Sequence, residues 1–279
     1  MIVLASIIPP ENVFRMYYDI YNGSLFQSIK DIVYINLTAL FNDATVQNVY
    51  DGFKVFSMFL IMIYFMIDIL GRSTSMQITI DYIMKSFLKI LIAVILLNSG
   101  MDICKGIIAI ANSVTSSVSG GISAADNPHF NWEDMWSEIK GYGTFALIGT
   151  YLQQAFPWLL ILLQKLILYV FCWTRALEIV VRTLIAGPAM ADVFSDSGRS
   201  GCVRYLKKYT ATCLTGVLYI IIVFIGSRLP DIVMQDGFVF HSPDEISAAY
   251  MSTYIATQFV VIAALAKAQS WANDIMGVR

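Results

Sequence analysis

WLLILLQKLILYVFCW, residues 158–173, carries only two strongly polar side chains, Gln164 and Lys165, both at its centre. At 1.5 Å per helical residue the fifteen steps from Trp158 to Trp173 cover about 22 Å, a spacing that suits two aromatic belts on a tilted membrane helix. Read outward, the same character recurs. Of the 279 residues 57% are hydrophobic and 14% charged, and the mean hydropathy is +0.67. Apolar runs near the roughly 18–20 residues needed to cross the hydrocarbon predict spans at about 53–70, 86–110, 145–173, 209–228 and 248–270. The expected fold is therefore all-α, a polytopic transmembrane bundle of about five spans.

Residues 1–52 are too polar to span and read as an extracytoplasmic, interfacial region; residues 53–279 read as one transmembrane domain. MIVLASIIPP has no basic segment and too short an apolar run for a secretory signal. Phe26, Ile29, Val33, Leu37 and Leu40 recur at steps of three and four, an amphipathic helix that either lies on the membrane or docks a partner. Gly23 precedes it, and Ser24 with Gln27 suits a capping box. Asn131 caps a second interfacial helix bearing Trp132 and Trp136. Ser242-Pro243-Asp244-Glu245 predicts an N-cap, a proline at N1 and a capping-box glutamate opening the last span.

Positive charges set the orientation. The segments before the first span, between the second and third and between the fourth and fifth hold Arg15, Lys30 and Lys140; eleven others fall in the opposite set. That asymmetry predicts the N-terminus outside and the C-terminus inside.

The inner hub loop, 174–208, is the most basic stretch, and the helix of the third span can continue into it through the Arg175 face as far as Pro188. Arg175, Glu178 and Arg182 fall at i, i+3 and i+7 and share a helix face, with Glu178 placed to pair with either arginine. Gly187-Pro188 weakens or kinks the helix, Asp192 follows, and Arg199, Arg204, Lys207 and Lys208 form a basic cluster.

For catalysis the sequence offers no constellation: His129 and His241 stand without second ligands at metal spacing, and no nucleophile or phosphate motif occurs. Cys104, Cys172, Cys202 and Cys213 contain no C-x-x-C pair and read as reduced thiols. No enzyme activity, metal or cofactor is expected. Gln164 and Lys165 are intramembrane polar candidates, because an unpaired charge there costs at least about 2.5–3.5 kcal/mol. Lys165 faces an interior, a lumen or a partner, or else snorkels to the surface. Asn98, Asp102 and Lys105, at i, i+4 and i+7, mark either the outer interface or a pore lining. Ala248, Ser252 and Ala256 recur at four-residue steps, the small-residue pattern of close helix packing, within the protomer or between copies.

Arg175, Glu178 and Arg182, with AGPAMAD at 186–192 and RYLKKY at 204–209, resemble the TrbL-type membrane subunit of type IV secretion (conjugation) systems, particularly Gram-positive forms. The close likeness covers about 175–215, and a looser one in layout covers about 50–270. The resemblance implies a homo-oligomeric subunit around a translocation channel in the cytoplasmic (inner) membrane, in contact with lipid. Its partners would be secretion ATPases and other channel subunits, and its cargo single-stranded DNA bound to relaxase, or protein. The basic hub, Pro188 and Asp192 included, would be the docking or substrate-contacting surface. A different class of reading is a secondary transporter with Lys165, Asp102 and Asn98 at a midplane site.

Overall fold

The computed structural model describes residues 9–21, 33, 37–73, 79–121, 130–192, 201–233, 241–246 and 248–278. Among them no strand occurs. The helices are α1 (Pro10–Tyr21), α2 (Leu37–Phe41), α3 (Ala44–Ser73), α4 (Ile80–Gly121), α5 (Trp132–Gly141), α6 (Thr144–Leu184), α7 (Ala186–Ala191), α8 (Gly201–Val233) and α9 (Ala248–Ile275). The all-α expectation holds.

Four of these helices are long and apolar enough to cross a membrane, over Ala44–Gly71, Thr144–Leu184, Gly201–Pro230 and Tyr250–Ile275. They contain the first, third, fourth and fifth expected spans. The second expected span lies inside α4, which is not one of the four. Its unbroken apolar run is only Ile90–Leu97, with Lys85 and Lys89 before it and Asn98, Asp102 and Lys105 after it. Only 11% of the apolar window of α3 is buried in the protein. Phe56, Phe59, Ile63, Met66 and Leu70 stand exposed along it, a surface suited to hydrocarbon and not to water.

Contacts divide the chain into two compact units, each drawn from three separate stretches. The division cuts across α4, α6, α8 and α9; α4 and α6 are 42 and 41 residues long. Helices of about 60 Å, twice the hydrocarbon thickness, are a length that composition alone did not reveal.

The first unit comprises Met1–Tyr34, Thr115–Cys172 and Val217–Ala268. Here α1 carries Val13, Met16, Tyr17, Ile20 and Tyr21 at i, i+3, i+4, i+7 and i+8, and all five are buried. Against them lie Phe130, Met135, Ile139, Leu147 and Tyr250. Each such large side chain contributes about 1.5–3 kcal/mol on leaving water. Tyr21 stacks on Phe130 at 4.9 Å between ring centroids, and Phe130 on Trp132 at 5.1 Å. No expected element corresponds to α1, although its periodicity is as clear as any. The Asn131 cap is present: its Oδ1 accepts from the Asp134 N–H at 3.4 Å. The capping box at 242–245 is not. Pro243–Glu245 forms a separate 3-10 turn, closed by the Ile246 N–H on the Pro243 carbonyl at 3.3 Å, and α9 begins only at Ala248.

The second unit comprises Ile35–Val114, Trp173–Gly216 and Gln269–Arg279. Asp43 caps α3, accepting from the N–H groups of Thr45 and Val46 at 2.8 and 3.3 Å. Those donors hold its carboxyl below the usual carboxylate range. Tyr50 ties α3 to α4: its hydroxyl donates to the Leu97 carbonyl at 3.2 Å and accepts from the Met101 N–H at 3.0 Å. Ser86 donates to Asp68 at 3.0 Å. Of the expected amphipathic helix at 26–40, Val33 and Leu37 are buried and Leu40 is exposed. Gly23, Ser24, Phe26, Gln27 and Ile29 lie outside the described residues.

The basic stretch at 174–208 is helical wherever it is described except at Ile185 and Asp192, and the helix of the third expected span continues through the Arg175 face to Leu184. The break falls at Ile185, two residues before Gly187. Pro188 occupies the first turn of α7, where a missing N–H costs no hydrogen bond. Gly187 is there for space: a Cβ would come within 2.6 Å of Ser57 Oγ on α3.

Candidate functional site: a buried charged seam and an exposed basic face

Arg175 on α6 is only 7% exposed. Its Nε–H donates to the Thr212 carbonyl at 3.2 Å and its Nη2 to the Cys213 carbonyl at 2.7 Å, both on α8. A helix carbonyl keeps a second lone pair after its own backbone bond, so α8 accepts the guanidinium without unwinding. The charge lies in a slot that Gly216 creates: a Cβ there would fall 2.4 Å from Arg175 Cζ.

Glu178 pairs with Arg182, whose Nε and Nη2 lie 2.8 and 2.5 Å from one carboxylate oxygen. Thr212 Oγ1 stands 3.5 Å from that same oxygen and receives Gln269 Nε2 of α9 at 3.2 Å. Gln269 Oε1 accepts from Thr215 at 2.7 Å. Lower on the same seam the hydroxyls of Thr183 and Tyr209 meet at 2.8 Å, and Tyr205 donates to the Arg182 carbonyl. Three helices are thus joined by polar bonds through an otherwise apolar packing of Cys104, Ile108, Ala176, Ile179 and Cys213.

Arg175 is therefore turned inward, a correction to its reading as part of an exposed docking surface. Arg182 is largely buried and Glu178 about one-third exposed. Asp192 is also engaged internally, its Oδ2 accepting from the Gly201 N–H at 3.0 Å, which places a carboxylate at the opening of α8. Pro188 is half-buried in α7. Arg204, Lys207 and Lys208 are exposed, at i, i+3 and i+4 in the first turns of α8. Cations there oppose the helix dipole, so their placement is not explained by helix stability. Arg199 lies outside the described residues.

The intramembrane candidates separate. Gln164 is buried in the first unit and Lys165 beside it is half-buried, whereas Asn98, Asp102 and Lys105 belong to the second unit. Asn98 and Asp102 are exposed, and Lys105 reaches Asn42 Oδ1 at 3.4 Å. No one unit gathers the set that the transporter reading requires. On α9, Ser252 and Ala256 are exposed, and the buried face is carried by Thr257, Gln258, Val261 and Leu265. Ala248 begins that helix, and its side chain is not among those described. The small-residue stripe thus does not form the packed face of its own unit at Ser252 and Ala256.

All four cysteines are buried, and none is in a disulfide. His241 pairs with Asp134 at 2.8 Å, His129 lies outside the described residues, and among those described no cluster of metal-ligating side chains occurs. Sequence reasoning missed Thr212, Thr215, Gly216 and Gln269. The available signal was Arg175 itself: a cation beside an apolar run needs a partner, and a glycine inside a later span marks close approach.

Fold and site together define a multi-pass helical membrane protein, braced internally by one charged seam. Residues 54–187, just under half the chain, match the family described as TrbL/VirB6 plasmid conjugal transfer like protein. Over that region the chain is similar to this TrbL-type family of conjugal transfer. The match contains Arg175, Glu178 and Arg182 and stops before the basic face of α8. No curated protein and no solved structure matches the chain.

Proposed function

We propose that this protein is a channel or scaffold subunit of a type IV secretion machine, present in several copies in the cytoplasmic (inner) membrane. Its N-terminus lies outside and its C-terminus inside, with α4 making the fifth crossing. It works with secretion ATPases and other channel subunits to pass single-stranded DNA carried by relaxase, or protein, out of the cell. The family match supports the setting. One observation carries the finer reading: Arg204, Lys207 and Lys208 present three cations on one exposed helix face, whereas Arg175 and Arg182 are engaged inside. An exposed basic face at the inner mouth suits the acidic surface of an ATPase first, and a passing phosphate backbone second.

The test is charge reversal of all three, Arg204→Glu with Lys207→Glu and Lys208→Glu, in cells that transfer. Transfer is abolished while the protein still fractionates with the membrane at wild-type abundance. Transfer at wild-type efficiency overturns the proposal. A C-terminal affinity tag and native mass measurement then test copy number: a ring-sized assembly carrying ATPases is expected, and a lone monomer or dimer without partners contradicts it.

A further inference from the structure

Gln164 is 1% exposed, and among the described residues neither its Nε2 nor its Oε1 meets a hydrogen-bond partner. Leaving one such buried amide without hydrogen bonds costs on the order of 1–3 kcal/mol. The side chain lines a crevice of about 30 Å³ within the first unit, with Gly226, Ser227 and Pro230 of α8, Tyr250 and Tyr254 of α9, and Asp19 of α1 around it. Pro230 has no N–H, so it supplies no donor to the helix carbonyl four residues earlier, that of Gly226. Two of the nearby hydroxyls are committed elsewhere: Tyr254 donates to the Ile20 carbonyl and Ser227 to the Phe224 carbonyl.

We propose that this crevice is a hydration site, in which water bridges the Gln164 amide to the Gly226 carbonyl. The orphaned amide supplies both donor and acceptor atoms, and the ligand must therefore both accept and donate. Water does both; a bare cation would satisfy Oε1 and leave the Nε2 protons unmet. At roughly 10–15 Å³ of accessible space for each molecule, the volume admits about two waters and no larger solute. Asp19, half-buried, adds a carboxylate to the lining. The site explains how a proline and a glutamine coexist inside apolar helices. Water replaces the helix bond that Pro230 removes, and Gln164 holds that water in place.

Pulsed radiolytic footprinting of the purified full-length protein in detergent tests this, since a bound water generates hydroxyl radicals where it sits and oxidises buried neighbours. Tyr250 lines the crevice and Tyr17 does not, and both are 1% exposed in the same unit. Tyr250 is expected to oxidise several-fold faster than Tyr17, and to fall to the Tyr17 rate in Gln164→Leu. Equal rates in the wild-type protein overturn the proposal, and that comparison requires no variant to fold. An undiminished Tyr250 rate in folded Gln164→Leu, or in Gln164→Met should the leucine variant not fold, overturns it as well. The readout is independent of transfer and so of the channel-subunit reading.

Discussion

Arg175 and Gly216 form a single device: the guanidinium occupies the volume that a side chain at 216 would fill, with Cζ only 2.4 Å from where its Cβ would stand. Gly216→Ala must therefore expel the guanidinium and break its bonds to the Thr212 and Cys213 carbonyls. Charge-assisted bonds of this kind contribute about 1.5–3 kcal/mol each. Gly216→Ala is expected to lower the unfolding midpoint in detergent clearly, and Arg175→Leu likewise. Combined, they should cost less than the sum, because the leucine no longer reaches the slot. A coupling energy of about 0.5–3 kcal/mol is expected from the cycle. Strict additivity would mean that the two residues do not share the site.

A second close approach lies at Gly187. Its added Cβ would meet Ser57 Oγ at 2.6 Å, Leu97 Cδ1 at 3.2 Å and the Phe53 carbonyl at 3.4 Å. Only the first contact is prohibitive, and Ser57 Oγ is already bound to the Phe53 carbonyl at 2.6 Å. Gly187→Ala is expected to destabilise by about 1–3 kcal/mol, the usual cost of overpacking. Ser57→Ala in the same chain should recover most of that loss. Thermal unfolding of the single and double variants decides the matter, and a failure of Ser57→Ala to rescue would place the strain elsewhere.

How far the sequence led can be judged residue by residue. Apolar run length located four helices long and apolar enough to cross a membrane, and the Asn131 cap followed from residue type alone, because both depend on local chemistry. α6 runs on through the Arg175 face to Leu184, within the reach expected of it, but the α8 carbonyl that receives Arg175 lies 37 positions away and periodicity does not announce it. The i, i+3, i+7 spacing put Arg175, Glu178 and Arg182 on one face but left the pairing open. In the structure Glu178 takes Arg182, with the acid N-terminal to the base at i, i+4, the favoured orientation on a helix. The pattern that opens α1, from Val13 to Tyr21, was legible and overlooked. The proline-bearing turn at 243–245 satisfies its own backbone as a 3-10 turn, so a capping signature there did not start a helix.

The Thr215–Gln269 bond offers a test of the seam at its far side. Thr215 donates to Gln269 Oε1 at 2.7 Å and also to the Ala211 carbonyl at 3.0 Å. Thr215→Val leaves the Gln269 oxygen without that donor and should cost about 1–3 kcal/mol. Replacing both partners by apolar groups of similar shape is much less harmful than removing one. The pair Thr215→Val with Gln269→Leu is therefore expected to unfold closer to wild type than Thr215→Val alone. The opposite order would show that Gln269 acts mainly through Thr212.

Thiol accessibility tests the packing in both units at once. Cys104 and Cys213 are fully buried, Cys172 is 1% exposed and Cys202 5%. Cys172 reports on the first unit and the other three on the second. Thiols alkylate only where the reagent reaches the sulfur, and close packing around a buried thiol blocks it. A membrane-permeant maleimide is expected to label the native protein slowly at all four positions, with Cys202 first, and to label all four quickly in denaturing detergent. Gly216→Ala should raise the native rate at Cys213, whose carbonyl loses its contact with Arg175, while Cys172 in the other unit stays protected. Equal acceleration at Cys172 and Cys213 would mean that the seam holds the whole fold, and that its loss is not confined to the helices it joins.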